Sequence, residues 1–206
     1  MRWPVEHPRA TPNGRWGTER ITAAQGACGV GKHPCVHSGL DLAGAAGTRV
    51  YAPEDLSIDS VATGALPPFR GYGPGVMLAR GKQTGFYHLF AHLEYGSIPS
   101  AKVPGDWLDD LRTIGPVWDR DSSQRRQLRA GELVGVTSSA NHVHWEVRSS
   151  AHGARTSPAR WIQRHVDPDV ELALYEASGA AATMGDGWGL LLLIGLYAYD
   201  QRGRRR

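Results

Sequence analysis

A chain of 206 residues with 41% hydrophobic and 21% charged residues carries enough apolar material for one domain with its own core, which excludes an intrinsically disordered protein. The formal net charge is only +3 with His neutral, and much of that excess comes from Arg202, Arg204, Arg205 and Arg206, so a nucleic-acid-binding face is not indicated. The 26 glycines and 13 prolines turn the backbone often, which favours short strands and tight loops over long helices.

Residues 1 to about 36 read as an irregular lead-in rich in Gly, Pro and Arg, with one strand near Ile21-Thr22. Met1-Arg2-Trp3-Pro4-Val5-Glu6 shows no apolar core of a secretory signal. Cys28 and Cys35 are the two cysteines, and their spacing leaves three readings: a small disulfide loop, two buried thiols, or metal ligands. The disulfide is the favoured one, and it would place the chain in an oxidising compartment. Gly26-Ala27-Cys28-Gly29-Val30-Gly31-Lys32 resembles a phosphate-binding loop. His33 stands where Ser or Thr should hold magnesium, and Pro34 breaks the helix that should follow, so nucleotide binding is rejected.

From there to about residue 98 the pattern is strand and turn. Arg49 to Ala52, Leu56 to Val61, Val76 to Ala79 and Gly85 to Leu93 carry alternating or short apolar runs bounded by Gly or Pro. Residues 99–130 change character and read as an insertion on the sheet. One short helix is predicted at Asp106 to Leu111 and a second at Asp121 to Arg129. Strands resume at Glu132 to Val136 and at His142 to Val147. Ser157-Pro158 supplies an N-cap and a first-turn proline for a helix through about His165. Asp167-Pro168-Asp169 opens another short helix to about Ala177. Trp188 to Tyr199 is almost wholly apolar and an Arg-rich end follows. It is shorter than the roughly 20 residues of a spanning helix unless extended back through Ala180. A membrane anchor or sorting tail is the leading reading of residues 177–206; a buried segment and a partner-binding segment are the alternatives.

Two motifs carry the chemistry. His37-Ser38-Gly39-Leu40-Asp41 and His142-Val143-His144 together offer two imidazoles and a carboxylate, His37, Asp41 and His144. That is a donor set for a zinc ion that keeps one position open to water. Gly39 lets the loop bend so that His37 and Asp41 converge. On the strand beginning at His142, alternate residues share a face: Val143, Trp145 and Val147 point to the core, while His142, His144, Glu146 and Arg148 point the other way. His142 then falls beside the metal, where a proton acceptor is needed. The same alternation in Gly85 to Leu93 turns Tyr87, Leu89 and Ala91 inward and sets His88, Phe90 and His92 on the outer face, with His92 able to approach the metal. His7, His33, His88, His152 and His165 are read as surface or core residues.

These motifs, with Gly47-Thr48-Arg49-Val50-Tyr51-Ala52, Tyr87-His88-Leu89-Phe90-Ala91-His92-Leu93, Gly131-Glu132-Leu133-Val134-Gly135 and the continuation Trp145-Glu146-Val147-Arg148, resemble the lysostaphin/LytM-type zinc metallopeptidases. The resemblance spans about residues 20–170, with five motifs in order. It implies a mainly β, antiparallel β-sheet or sandwich fold of the LytM type and one zinc ion on His37, Asp41 and His144. It also implies catalytic roles for His92 and His142, and hydrolysis of peptide bonds in the stem or cross-bridge of bacterial peptidoglycan. The domain organisation is then a lead-in at 1–20, a zinc metallopeptidase domain at 21–176 and the apolar, Arg-rich tail at 177–206.

Family members often carry a Tyr shortly upstream of the first motif, and residues 22–36 contain none. The alternative reading is therefore a wall-binding or regulatory module with weak or no catalysis, or a phage lytic or virion-associated peptidase of the same chemistry. The expected partners are peptidoglycan peptides, with no nucleic acid and with membrane association through residues 188–206. The expected location is the cell envelope or the extracellular space. The oligomeric state is not readable.

Overall fold

A computed structural model describes residues 1–21, 35–64, 69, 71–99 and 126–177. In chain order the strands are β1 (Glu19–Arg20), β2 (Cys35–Val36), β3 (Leu40–Ala43), β4 (Arg49–Tyr51), β5 (Leu56–Ala62), β6 (Gly75–Gly81) and β7 (Tyr87–Leu93). They continue with β8 (Gln127–Leu128), β9 (Leu133–Val136), β10 (His142–Arg148) and β11 (Arg155–Thr156), followed by the helix α1 (Pro158–His165). The fold is mainly β and its paired strands are antiparallel. The strands predicted from Arg49 to Val147 form within a residue or two of their expected ends. Among the described residues no helix is long and apolar enough to cross a membrane; the tail beyond residue 177 lies outside them.

The main sheet runs β11-β10-β7-β6-β5-β8, and β10 is its pivot. One edge of β10 pairs with β7 over His144 to Arg148. Its other edge is shared in tandem, β3 pairing with His142 to Trp145 and β11 with Val147 and Arg148. One face of the sheet carries Leu40, Leu42, Leu56, Met77, Phe90, Val143, Trp145 and Val147 into the main core. The small sheet of β4 and β9, the N-terminal residues Trp3 and Val5, and α1 close over that core. Helix α1 begins as predicted, with the Ser157 hydroxyl accepting the Arg160 N–H and Pro158 in the first turn. It presses Trp161 edge-on against Trp145, ring centroids 5.8 Å apart. The opposite face carries a smaller cluster of Ala62, Phe69, Val76, Leu78, Leu89 and Ala91.

Three expectations need correction. The faces of β7 are the reverse of the predicted ones at His88 and Phe90. Phe90 lies in the main core and His88 is wholly buried, whereas Leu89 and Ala91 belong to the second cluster. Both faces of β7 are covered by apolar side chains, so alternation alone could not say which was the outer one. The second predicted helix of the insertion is not helical where it is described. Gln127 and Leu128 form β8, and Leu128 pairs with Leu56 and enters the core, a burial that outweighs local helix preference. The helix expected at Asp106 to Leu111 lies outside the described residues. Finally, the segment after α1 makes only a 3-10 turn at Leu172–Leu174. The backbone is drawn out beyond it because Trp16 and Glu176 pair as a parallel bridge, with Trp16 N–H donating to Tyr175 and Ala177 N–H to Trp16.

Cys35 is disulfide-bonded, as favoured from the sequence; Cys28, the other cysteine of the chain, lies outside the described residues.

Candidate metal centre

The register of β3 against β10 builds the site. His144 and Asp41 are directly opposed Cα partners, an arrangement that sets their side chains next to each other on one face. The result is a contact of 2.7 Å between His144 Nδ1 and Asp41 Oδ1. The loop just before β3 brings in His37, whose Nε2 lies 3.0 Å from His144 Nδ1 and 3.2 Å from Asp41 Oδ1. All three residues are buried.

The loop reaches this position for a reason other than the expected one. Gly39 does not have a positive φ. Its lack of a side chain matters because a Cβ there would sit 2.6 Å from Cε1 and Nε2 of His144 and 2.8 Å from the Trp145 carbonyl. Gly39→Ala therefore has to displace either the His37 loop or the His144 ring. Zinc affinity in this variant should fall by about 10- to 100-fold, the range for disturbed supporting contacts. A competition titration with a fluorescent chelator measures it.

Outer hydrogen bonds assign the tautomer of each ring. His37 Nδ1–H donates to the Arg15 carbonyl at 3.1 Å, which leaves the Nε2 lone pair facing the cluster. His144 Nε2–H donates to Glu146 Oε1 at 3.1 Å, which leaves Nδ1 for a metal. Glu146 is fully buried, and its Oε1 also accepts from the hydroxyls of Ser38 and Tyr72, each at 2.8 Å. Its other oxygen takes Arg148 Nε at 2.7 Å and Arg155 Nε at 2.9 Å. Burial alone would favour the neutral acid. These partners, with His144 foremost, hold the Glu146 carboxyl well below the usual range.

The same competition governs the ligand residues. Burial opposes charge on His144, but the carboxylates of Asp41 and Glu146 outweigh it and the imidazole is pushed up to about 9. Burial likewise disfavours the Asp41 carboxylate, yet hydrogen bonds from His144 and His37 hold its pKa far below the ordinary value. Burial lowers His37. Two neutral-capable imidazole nitrogens and one carboxylate oxygen therefore converge, which fits zinc in donor type and number. Bonds of about 2.0–2.2 Å at tetrahedral angles place such donors roughly 3.3–3.5 Å apart. The spacings here, 2.7, 3.0 and 3.2 Å, are shorter by up to about 0.8 Å, so the triangle has to open to admit the ion.

His142 and His92 flank this triangle. His142 is two residues before His144 on the same face of β10, and its Nε2 is 3.9 Å from Asp41 Oδ2. Its Nδ1–H donates to the Ala140 carbonyl at 2.8 Å, so the lone pair of Nε2 looks into the site. His92 reaches it by a bulge. Between the pairs Gly75↔Leu93 and Met77↔Phe90, β7 carries one more residue than β6. His92 takes φ +59°, and its ring leaves the line set by His88 and Phe90 to lie 4.5 Å from that of His142. Burial, helped by the neighbouring His142 and His144, lowers its pKa to about 3, so the ring stays neutral.

All five residues singled out from the sequence, His37, Asp41, His92, His142 and His144, thus meet in one place. Of the histidines set aside, His88 is bonded to Glu54 in the core and His165 packs on Trp161. Three contributors were not foreseen. Glu146 was placed on the right face by alternation, and its supporting role was readable there. Tyr72, in the Gly71-Tyr72-Gly73 turn, packs edge-on to the His144 ring at 5.5 Å, and no spacing signal marks it. Arg20 Nη2 bonds Asp41 Oδ2 at 3.1 Å from a two-residue strand, Glu19–Arg20, that lies just before the one expected near Ile21-Thr22.

No family model matches the chain, and no curated protein sequence matches it. Among solved structures it is similar to Csd3 of Helicobacter pylori, with 13% identity, TM-score 0.46 and coverage of 98% of this chain and 42% of that one. The chain thus spans less than half of the Csd3 chain. LytU gives 15% identity and TM-score 0.48 over 81% of this chain and 92% of its own. The catalytic domain of the antimicrobial peptidase lysostaphin from Staphylococcus simulans gives 17% identity and TM-score 0.43 over 66% and 85%. The mainly β, antiparallel architecture described above is similar to that of these proteins, and the likeness is one of fold.

Proposed function

We propose that this chain is a zinc-dependent endopeptidase that hydrolyses peptide bonds in the stem or cross-bridge peptides of bacterial peptidoglycan, working at the cell envelope or outside the cell. The observation that carries the reading is the convergence of His37, Asp41 and His144 with two further imidazoles, His142 and His92, beside them. The resemblance of five ordered sequence motifs to the lysostaphin/LytM-type peptidases supplies the substrate class.

His37 Nε2, Asp41 Oδ1 and His144 Nδ1 would hold a zinc ion, which would supply a Lewis acid for the scissile carbonyl and lower the pKa of a bound water toward about 7. The residues of the chain do the rest. His142, oriented by its bond to the Ala140 carbonyl so that Nε2 faces the site, takes the proton of the attacking water. It then returns that proton to the departing amine. His92, kept neutral by burial, donates an N–H toward the carbonyl oxygen as negative charge builds on it. Glu146 and Arg15 fix the rings of His144 and His37, so that no reorganisation is required during the reaction.

The test is release of new amino termini from purified peptidoglycan by the full chain, followed by mass spectrometry of the fragments. Release should be abolished by a chelator and restored by added zinc. Zinc-loaded, folded protein that binds the wall and frees no amines would establish a binding module instead.

A further inference from the structure

We infer that Arg20 is a positioning residue that restricts Asp41 to a single coordinating oxygen and so keeps a coordination position open; this rests on the zinc reading above. The two oxygens of Asp41 have separate environments. Oδ1 faces His37 Nε2 at 3.2 Å and His144 Nδ1 at 2.7 Å. Oδ2 faces the Arg20 guanidinium at 3.1 Å and His142 Nε2 at 3.9 Å. A carboxylate ligand to zinc can bind through one oxygen or both, and using both would occupy the place that water and substrate need. A charge-assisted bond from a buried guanidinium to Oδ2 opposes the rotation that would bring this oxygen to the metal.

The clamp is itself held. Arg20 is 9% exposed, and its Nη2 also reaches the Asn13 carbonyl at 3.5 Å. The backbone of Asp41 is tied on both sides to the same N-terminal loop, Thr11 N–H donating to its carbonyl and its own N–H to the Gly14 carbonyl. Arg20 pairs with Cys35 in the register of β1 and β2, and His37 follows two residues later. A single hairpin thus delivers both a metal ligand and the cation that orients its neighbour.

The experiment loads the full wild-type chain, Arg20→Ala and Arg20→Lys with cobalt(II) and compares visible spectra, zinc dissociation constants and steady-state kinetics on peptidoglycan fragments. Folding of each variant is checked by circular dichroism. Four-coordinate cobalt absorbs several-fold more strongly than five- or six-coordinate cobalt. In Arg20→Ala the absorbance per cobalt should therefore drop several-fold, while the zinc dissociation constant moves by less than about tenfold. The turnover number should fall by about 100-fold, the usual cost of a small misplacement at a reacting centre, with little change in KM. Arg20→Lys, which keeps the charge, should recover part of both signals and guards against an alanine variant that fails to fold. Spectra and turnover identical to wild type in folded Arg20 variants would overturn the role. A wild-type chain that takes up no cobalt would overturn the metal site itself, a failure recognisable because it does not depend on Arg20.

Discussion

His144→Ala should leave a folded protein with zinc affinity reduced by more than about 100-fold and wall hydrolysis at background. The lower bound is the effect of losing a mere outer partner of a ligand. His144 Nδ1 is the donor closest to both other ligand atoms, at 2.7 Å from Asp41 and 3.0 Å from His37, so its loss leaves two donors and no triangle. The fold should survive because Glu146, which loses the His144 N–H, keeps Ser38, Tyr72, Arg148 and Arg155. Metal content by elemental analysis beside a thermal melt separates the two effects. His142→Ala should behave differently. Its ring is not one of the three converging donors, so the metal stays and the rate falls by about 10²–10⁴, the usual contribution of a positioned proton acceptor. Full activity in His144→Ala would exclude zinc chemistry at this place.

The second large effect is on stability and lies on the far side of the sheet. Glu54 and His88 are both wholly buried and bonded at 2.9 Å. Trp145 Nε1–H donates to His88 Nδ1 at 3.3 Å, so His88 is neutral and its Nε2–H points to Glu54. Burial favours that neutral form as well. Glu54 also accepts from Gln83 N–H, Thr84 N–H and the Thr84 hydroxyl. There is room for the carboxylate because Gly81 packs against it; a Cβ at that glycine would lie 2.1 Å from Glu54 Oε1.

Burial would raise the Glu54 pKa, but the bonds from His88 and Thr84 override it and hold the group below its ordinary value. Glu54→Gln turns one acceptor into a donor facing donors. It should cost about 3 kcal/mol, or roughly 10 °C in Tm for a domain of this size. The sign of the pH dependence follows from the depressed folded-state pKa. The stabilisation is complete above the unfolded carboxyl pKa of about 4.3 and is lost as pH falls through the lower folded value. The gap between wild type and Glu54→Gln should therefore narrow in melts run below about pH 4. A gap that stays constant with pH would show that the charge of Glu54 contributes nothing.

Much of the site was legible because its geometry is local to two strands. His142 and His144 are two apart and must share a face, and the Asp41 strand needed only to pair beside them. Residues whose placement depends on long-range packing were not legible in this way. The His92 ring does lie beside His142, but for a structural reason other than the expected one: simple alternation leaves it in line with His88 and Phe90, and only the bulge re-aims it. Arg20 comes from a strand of two residues, too short to leave a hydrophobic period. Tyr72 sits between two glycines with positive φ in a turn whose composition says only that it turns. Tyr72 reaches the centre from the β5–β6 connection, and its hydroxyl is given to Glu146.

The parallel bridge between Trp16 and Glu176 has a bearing on when the His37, Asp41 and His144 cluster takes shape. The Arg15 carbonyl that fixes His37 belongs to a segment secured by residues 175–177, which are synthesised some 160 positions later. During translation His37 and Asp41 emerge early and His144 much later, while residues 175–177, which secure the Arg15 segment, come later still. Contacts so far apart form late in folding. A ribosome-bound intermediate would thus hold His37, Asp41 and His144 and yet lack the contact that orients the His37 ring, so the three side chains converge only once residues 175–177 are in place.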